Sequence, residues 1–250
     1  MKFAHSLTGN WENAFRGLRH PLESYDRSDS EFGLCGIDML EDGETIVNID
    51  FQGESAEYIK LGKNDLDLAQ RMIKAGTPND KYLRQIFVSV DITAPLYWWK
   101  EMDTYKVATT ANSTSTMHKL ASTPITKECF EIDDYNPDLD LIDDVHVGLR
   151  VDCFIDDLEQ LRQKFVMTKD VKYWKELIRW LPEGWLQTRT FTCNYAVLRN
   201  IVHWRKNHRL KYEWDSFIQW CKTLPYAEEL IFHNNGYDEE YKLHDLLSSK

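Results

Sequence analysis

The sequence predicts an α/β (α+β) fold: a single domain over residues 1–250, with a mixed sheet flanked by helices and a helical C-terminal half. Ile86, Val88, Val90 and Ile92 alternate with Phe87, Ser89 and Asp91, the two-residue period of a half-buried strand. In the second half, apolar residues recur at three- and four-residue spacing, as on helices with one packed face. The 250 residues show no internal repeat or low-complexity linker, and such a chain buries roughly 70% or more of its unfolded surface.

In chain order, the first fifty residues contain Gly-, Ser- and Asp-rich turns, with the acidic, hairpin-like Glu41-Asp42-Gly43-Glu44 between apolar stretches. They read as irregular chain with short strands. Asn64 or Asp65 then caps a helix on which Leu66, Ala69, Met72 and Ile73 keep helical spacing, and Gly76 stops it. After the strand through Ile92, Pro95 marks its end, and Leu96-Tyr97-Trp98-Trp99 opens another helix leading into a loop with Asn112 and Ser115. From Ile125 to Val145 the chain is polar and acidic, with Asp133, Asp134, Asp138, Asp140, Asp143 and Asp144. The Gly and terminal bidentate Glu of a calcium loop are not at the required offsets, so this reads as a solvated connection and no metal site is expected.

Leu158, Leu161 and Phe165 share a helical face, and Asp170 caps Val171 to Trp180, where Trp174, Leu177 and Ile178 recur at core spacing. Pro182 and Gly184 break the chain. The stretch Gln187 to Glu213 follows, with a helix capped by Asn194. On that helix Asn194, Leu198, Ile201, Arg205 and His208 fall near one line, with Val197, Asn200 and Trp204 on the adjacent strip. An unpaired buried amide or guanidinium costs free energy, so Asn200 and Arg205 beside apolar anchors suggest groups held for a ligand. Trp214, Phe217, Ile218 and Cys221 mark a last helix, stopped before Pro225.

The formal net charge of −11 argues against nucleic acid as a partner, since phosphate backbones require a basic face. A mononucleotide needs only a local basic pocket, and Arg199, Arg205, Lys206, Arg209 and Lys211 form one local concentration. The five cysteines are scattered without Cys-x-x-Cys spacing, which indicates neither a zinc site nor a disulfide framework and points to a reducing cytoplasm. No apolar run is long enough to span a bilayer, so no membrane association is expected. Nine Trp, twelve Tyr and eleven Phe suit a packed core, an oligomer interface or a planar ligand.

A series of landmarks adds a resemblance. Gly76, the run Arg84 to Ile92, Ala94-Pro95, Asn112 and Ser115, and Thr188-Arg189 with Asn194, Asn200 and Arg205 resemble in order the flavin-dependent thymidylate synthases, the ThyX family. Members carry Arg-His-Arg-x-x-Ser-x-Asn-x-x-Ser-x-Arg. The corresponding stretch Thr104 to Met117 matches at Asn112 and Ser115 and has Lys106 in place of the second arginine. The resemblance implies reductive methylation at C5 of dUMP, with FAD as hydride carrier and NADPH and methylenetetrahydrofolate as co-substrates, in a homotetramer. It implies flavin contacts for Asn194 and Asn200, flavin or nucleotide contacts for Asn112 and Ser115, and a further cofactor landmark at His208, or at Arg209 if no gap is allowed. Arg205 is the implied catalytic group, stabilising negative charge on the uracil ring. Lys106, Arg189 and, with a one-residue gap, Arg179 are implied at the nucleotide phosphate, and Glu101 stands where the family has a substrate-side Gln. The alternative is a ThyX-fold nucleotide-binding protein that has lost flavin and catalysis; a structural protein with an aromatic interface is a third reading.

Overall fold

The computed structural model describes residues 1–49, 53–132, 141–142 and 145–235. The acidic positions Asp133, Asp134, Asp138, Asp140, Asp143 and Asp144 lie outside these described residues. Helices and strands are mixed, as the alternating and helical periods predict. The strands form a four-stranded sheet of order β1-β5-β9-β6, a three-stranded sheet of order β2-β4-β3 and a two-stranded pair β7-β8. They run β1 Lys2–Gly9, β2 Glu31–Gly36, β3 Thr45–Ile49, β4 Ser55–Lys60, β5 Phe87–Pro95, β6 Thr110–Ser113, β7 Leu141–Ile142, β8 Val145–His146 and β9 Leu186–Asn194. The helices are α1 Trp11–Arg19, α2 Lys63–Ala75, α3 Leu96–Met102, α4 Thr116–Lys119, α5 Val147–Thr168, α6 Val171–Arg179, α7 Tyr195–Arg205 and α8 Lys211–Lys222. Two compact units divide the chain: Met1–Lys2, Ile92–Thr104 and Asn112–Arg189 make the first, and Phe3–Asp91, Tyr105–Ala111 and Thr190–Lys250 the second.

In the second unit, the N-terminal region is more ordered than its turn-rich sequence suggests. Trp11, Ala14, Phe15 and Leu18, at helical spacing, build the buried face of α1 where irregular chain is predicted. The short strands are present as β2, β3 and β4, paired antiparallel with a bulge between Ile46 and Asn48. Gly43, at φ 89°, lies in the Glu41-to-Glu44 turn, where Glu44 N–H donates to the Glu41 carbonyl at 3.2 Å.

The α2 helix is not capped by Asn64 or Asp65. It starts after Gly62, and Asp29, far away in sequence, accepts from the backbone N–H groups of Asn64 at 2.9 Å and Asp65 at 3.1 Å. These are orphan donors of the first turn, satisfied here by tertiary contact. The Asp65 carboxylate instead binds side chains from outside the helix. Its Oδ1 accepts from the buried Arg19 Nε at 2.5 Å and its Oδ2 from Ser28 Oγ at 2.7 Å. Burial alone would raise the Asp65 pKa, but hydrogen bonds from Ser28, Ser30 and Arg19, with the Arg19 charge, outweigh it and hold the carboxyl below its ordinary value. Gly76 ends α2 at φ 70°, as predicted.

In the first unit, Leu120, Ile125, Phe130, Ile155, Leu158 and Leu177 form a hydrophobic cluster against which Leu161 and Ile178 pack, so α5 and α6 bury the stripes their spacing predicts. Asp170 caps α6 by accepting from Lys172 N–H at 3.0 Å. Glu159 on α5 accepts from Arg162 Nε at 2.7 Å and Nη2 at 2.6 Å, and from Ile125 N–H at 2.8 Å. This grip, led by Arg162, holds its pKa down to about 2.

The region before α7 departs most from expectation. Leu186–Asn194 forms the strand β9, which the spacing does not announce, with Gln187, Phe191 and Cys193 buried. Helix α7 begins at Tyr195, as the predicted cap at Asn194 requires, and its first N–H bonds the Ile86 carbonyl at 3.1 Å. Polar residues on the buried side of β9 conceal the strand's alternation from a hydrophobicity reading.

Candidate functional site

Asn194 closes β9 and opens α7. Its side-chain oxygen accepts from Val197 N–H at 3.0 Å, so the predicted cap is present. Tyr195, Leu198, Ile201 and Val202 form the buried face of α7. Asn200, on the strip with Trp204, is therefore exposed rather than packed, and its Oδ1 accepts from Trp204 Nε1 at 3.1 Å. The Trp204 indole itself is 68% exposed. These caps and side-chain bonds occupy only the amide oxygens of Asn194 and Asn200. Their Nδ2 donors remain without a hydrogen-bond partner among the described residues. Asn194 is buried, whereas Asn200 and the Trp204 indole are open to solvent.

Arg205 ends α7 and is held on several sides within the second unit. Its Nε donates to the Tyr105 hydroxyl at 2.8 Å, and its guanidinium lies 5.2 Å from the Tyr105 ring centroid and 4.8 Å from that of the buried Trp214. A planar cation between two aromatic rings keeps one orientation. His208 is not on the α7 face, because the helix ends at Arg205. It lies in the turn before α8, where its Nδ1 accepts from Leu210 N–H at 3.1 Å and its ring meets Trp214 edge-on at 5.9 Å. That acceptor role places the proton of the neutral ring on Nε2. The structure thus brings Arg205 and His208 to one aromatic cluster. Tyr105 and Trp214 complete it, although the sequence marks Trp214 only as core and Tyr105 only as a neighbour of Lys106.

Arg209 and Lys106 are exposed, the latter in the loop after Tyr105. Arg199 is not a solvated surface cation: it donates to the carbonyls of Ile231 at 2.9 Å, His233 at 2.6 Å and Asn234 at 3.1 Å. It thereby closes the π-helical turn Glu228–Phe232. Burial keeps the Cys193 thiol well above its ordinary pKa, which makes it a packed neutral side chain.

In the first unit, Asn112 lies on β6 rather than in a loop and is exposed. Ser115 caps α4, its oxygen accepting from His118 N–H at 3.2 Å. Arg189 donates from Nη1 to both Asp103 oxygens, at 2.9 and 3.1 Å, and from Nε to Gln187 at 2.9 Å, with its guanidinium 4.3 Å over Trp99. Glu101 is half-buried at the end of α3, where its carbonyl accepts from Thr104 Oγ1 at 2.7 Å. Arg179 is exposed and paired with Glu176. Among the described residues no cluster of His, Cys, Asp and Glu is arranged to hold a metal ion, and no helix is long and apolar enough to cross a membrane.

No family model and no curated protein matches the chain. Solved structures do. The flavin-dependent thymidylate synthase ThyX from Helicobacter pylori, complexed with FAD and dUMP, superposes with a TM-score of 0.60 at 14% identity, covering 94% of this chain and 99% of that one. This chain has the ThyX fold. A second structure of the Helicobacter pylori enzyme with FAD and dUMP gives a TM-score of 0.58 at 13% identity over 92% of this chain and 97% of that one. The ThyX fold extends across both chain lengths, so the landmarks from Gly76 to Arg205 lie within a shared architecture. At this identity the likeness concerns backbone and not side-chain roles.

Proposed function

We propose that this protein binds a pyrimidine mononucleotide and FAD and carries out a ThyX-like reductive one-carbon transfer to C5 of dUMP. The observation that carries this reading is the ThyX fold over nearly the whole chain, matched to structures that hold both FAD and dUMP. Asn194 and Asn200 retain uncommitted amide donors for a flavin, and Trp204 offers a stacking surface. FAD supplies hydride chemistry, with NADPH as reductant and methylenetetrahydrofolate as the one-carbon donor. The protein's own contribution is positioning and charge. Arg205, oriented by Tyr105 and Trp214, meets negative charge developing on the uracil ring without having to reorganise. Exposed Lys106 and Arg209 serve the phosphate as point and fork charges. The site is completed in a homotetramer, as in the family.

A second reading has its own support. Arg189 is bound to Asp103 and Gln187 over Trp99, and Arg179 is paired with Glu176, so two of the implied phosphate ligands have partners elsewhere. This favours a nucleotide-binding protein with a weakened grip that has lost flavin and turnover. The visible absorption spectrum after loading with FAD and desalting decides between them. A retained flavin band that bleaches with NADPH supports the enzyme; a colourless protein that still binds dUMP supports the second reading.

A further inference from the structure

The negative charge of this chain is concentrated. Residues 31–60 contain eight acidic side chains and one basic, and so contribute −7 of the formal −11. This segment builds the β2-β4-β3 sheet of the second unit. In its register Phe32 stands opposite Ile59 and Leu34 opposite Glu57, which puts these four side chains on one face. That face and the start of α1 line a cavity of about 420 Å³. Buried Trp11 and Ile59, with half-buried Phe32, give it apolar aromatic walls, and exposed Glu12 and Glu57 form its rim. Neither carboxylate has a hydrogen-bond or ion-pair partner among the described residues. Leu34, 72% exposed at the cavity edge, and Met39, 70% exposed after β2, extend the apolar surface outward. On the sheet's other face the charged side chains that act on Tyr58 are acidic as well. Burial, then Glu44, Cys35, Glu31 and Glu41, push the Tyr58 hydroxyl above its ordinary pKa.

We infer that this face docks a basic, apolar-flanked segment of a partner protein, with one Lys or Arg side chain entering the cavity. The aliphatic stem of such a side chain packs on Trp11, Phe32 and Ile59, and its charged head meets Glu12 and Glu57. Flanking apolar residues cover Leu34 and Met39. Charge selects this occupant over the nearer ones. The chain's own residues 236–250 carry Asp238, Glu239, Glu240 and Asp245 against Lys242 and Lys250, and a second copy carries the same net −11. Both are repelled by the face that a cationic segment neutralises. The inference is independent of the reaction proposed above.

The test is fluorescence anisotropy of the full-length protein with a short labelled peptide alternating Lys and Leu. Peptides with Glu for Lys, and with Ser for Leu, serve as comparisons. Saturable binding of the Lys/Leu peptide is expected, weakened about tenfold or more by the double variant Glu12→Gln, Glu57→Gln. A control with the same change in net charge, Asp156→Asn with Asp157→Asn on the exposed side of α5, is expected to alter affinity by less than about twofold. All these positions are exposed, so unchanged melting curves establish that both variants fold. Equal weakening in the two double variants reduces the effect to net charge and overturns the inference, as does equal binding of the Lys/Ser peptide. Self-association in sedimentation that the Glu12/Glu57 variant abolishes overturns it too, by making a second copy the occupant.

Discussion

Arg205 is the residue on which the proposed chemistry depends, and its value lies in being held. Its partner Tyr105 is 100 positions away, and removing the Tyr105 hydroxyl takes away one of the contacts that orient the guanidinium while leaving its ring contacts in place. Arg205→Ala is therefore expected to lower kcat for dUMP methylation by about 100-fold or more, and Tyr105→Phe by about tenfold. Single-turnover assays with reduced flavin read both, and unchanged turnover in Arg205→Ala removes the assigned role. Asn200 belongs to the flavin side of the proposal. With its Nδ2 uncommitted and its side chain exposed, Asn200→Leu is expected to cost little stability while lowering the flavin-to-protein ratio after desalting. The Asn194 cap is legible in sequence because capping is a contact between near neighbours, three positions apart. The Tyr105–Arg205 contact is not, since nothing local to either residue names the other.

At the level of elements, caps and ion pairs supplied from a distance decide where structure begins. Asp29 satisfies the first turn of α2, so Asp29→Ala is expected to destabilise the protein by about 1 kcal/mol, read from denaturant midpoints. The Glu159 pair on α5 adds a pH dependence. Its folded pKa of about 2 lies below the unfolded value of about 4.3, so its stabilisation is complete above the unfolded value and disappears as pH falls through the folded one. With the Glu159 side chain 19% exposed and screened by solvent, that stabilisation amounts to roughly 1–2 kcal/mol. Glu159→Gln is expected to flatten the loss of stability between about pH 4.3 and 2, measured as Tm against pH. Asp65, also held below its ordinary value, keeps part of the same acid limb in that variant. The amphipathic elements β5, α5, α6 and α8 are readable from spacing alone, whereas β9 is hidden because Gln187 takes a core-facing position among threonines and Arg189.

For the whole molecule, the ThyX fold predicts a ligand-linked stability. If FAD and dUMP bind the folded chain alone, each at about 100 times its Kd raises stability by about 2.7 kcal/mol, visible as a rise in Tm. No shift with either ligand counts against both readings of the site. The sequence by itself determined the α/β class, the strand through Val88 and Val90, the packed faces of the later helices, and the order of landmarks that resembles ThyX. These depend on periodicity and near-neighbour chemistry, which a linear pattern records. The tertiary structure alone decided that Arg205 stands between Tyr105 and Trp214, and that Arg189 is bound to Asp103 and Arg199 to the turn after Ala227. It also showed that Glu12 and Glu57 meet at one cavity. Each is a contact between residues brought together only by folding, and a charged side chain's partner is set by distance in space, which the order of residues does not contain.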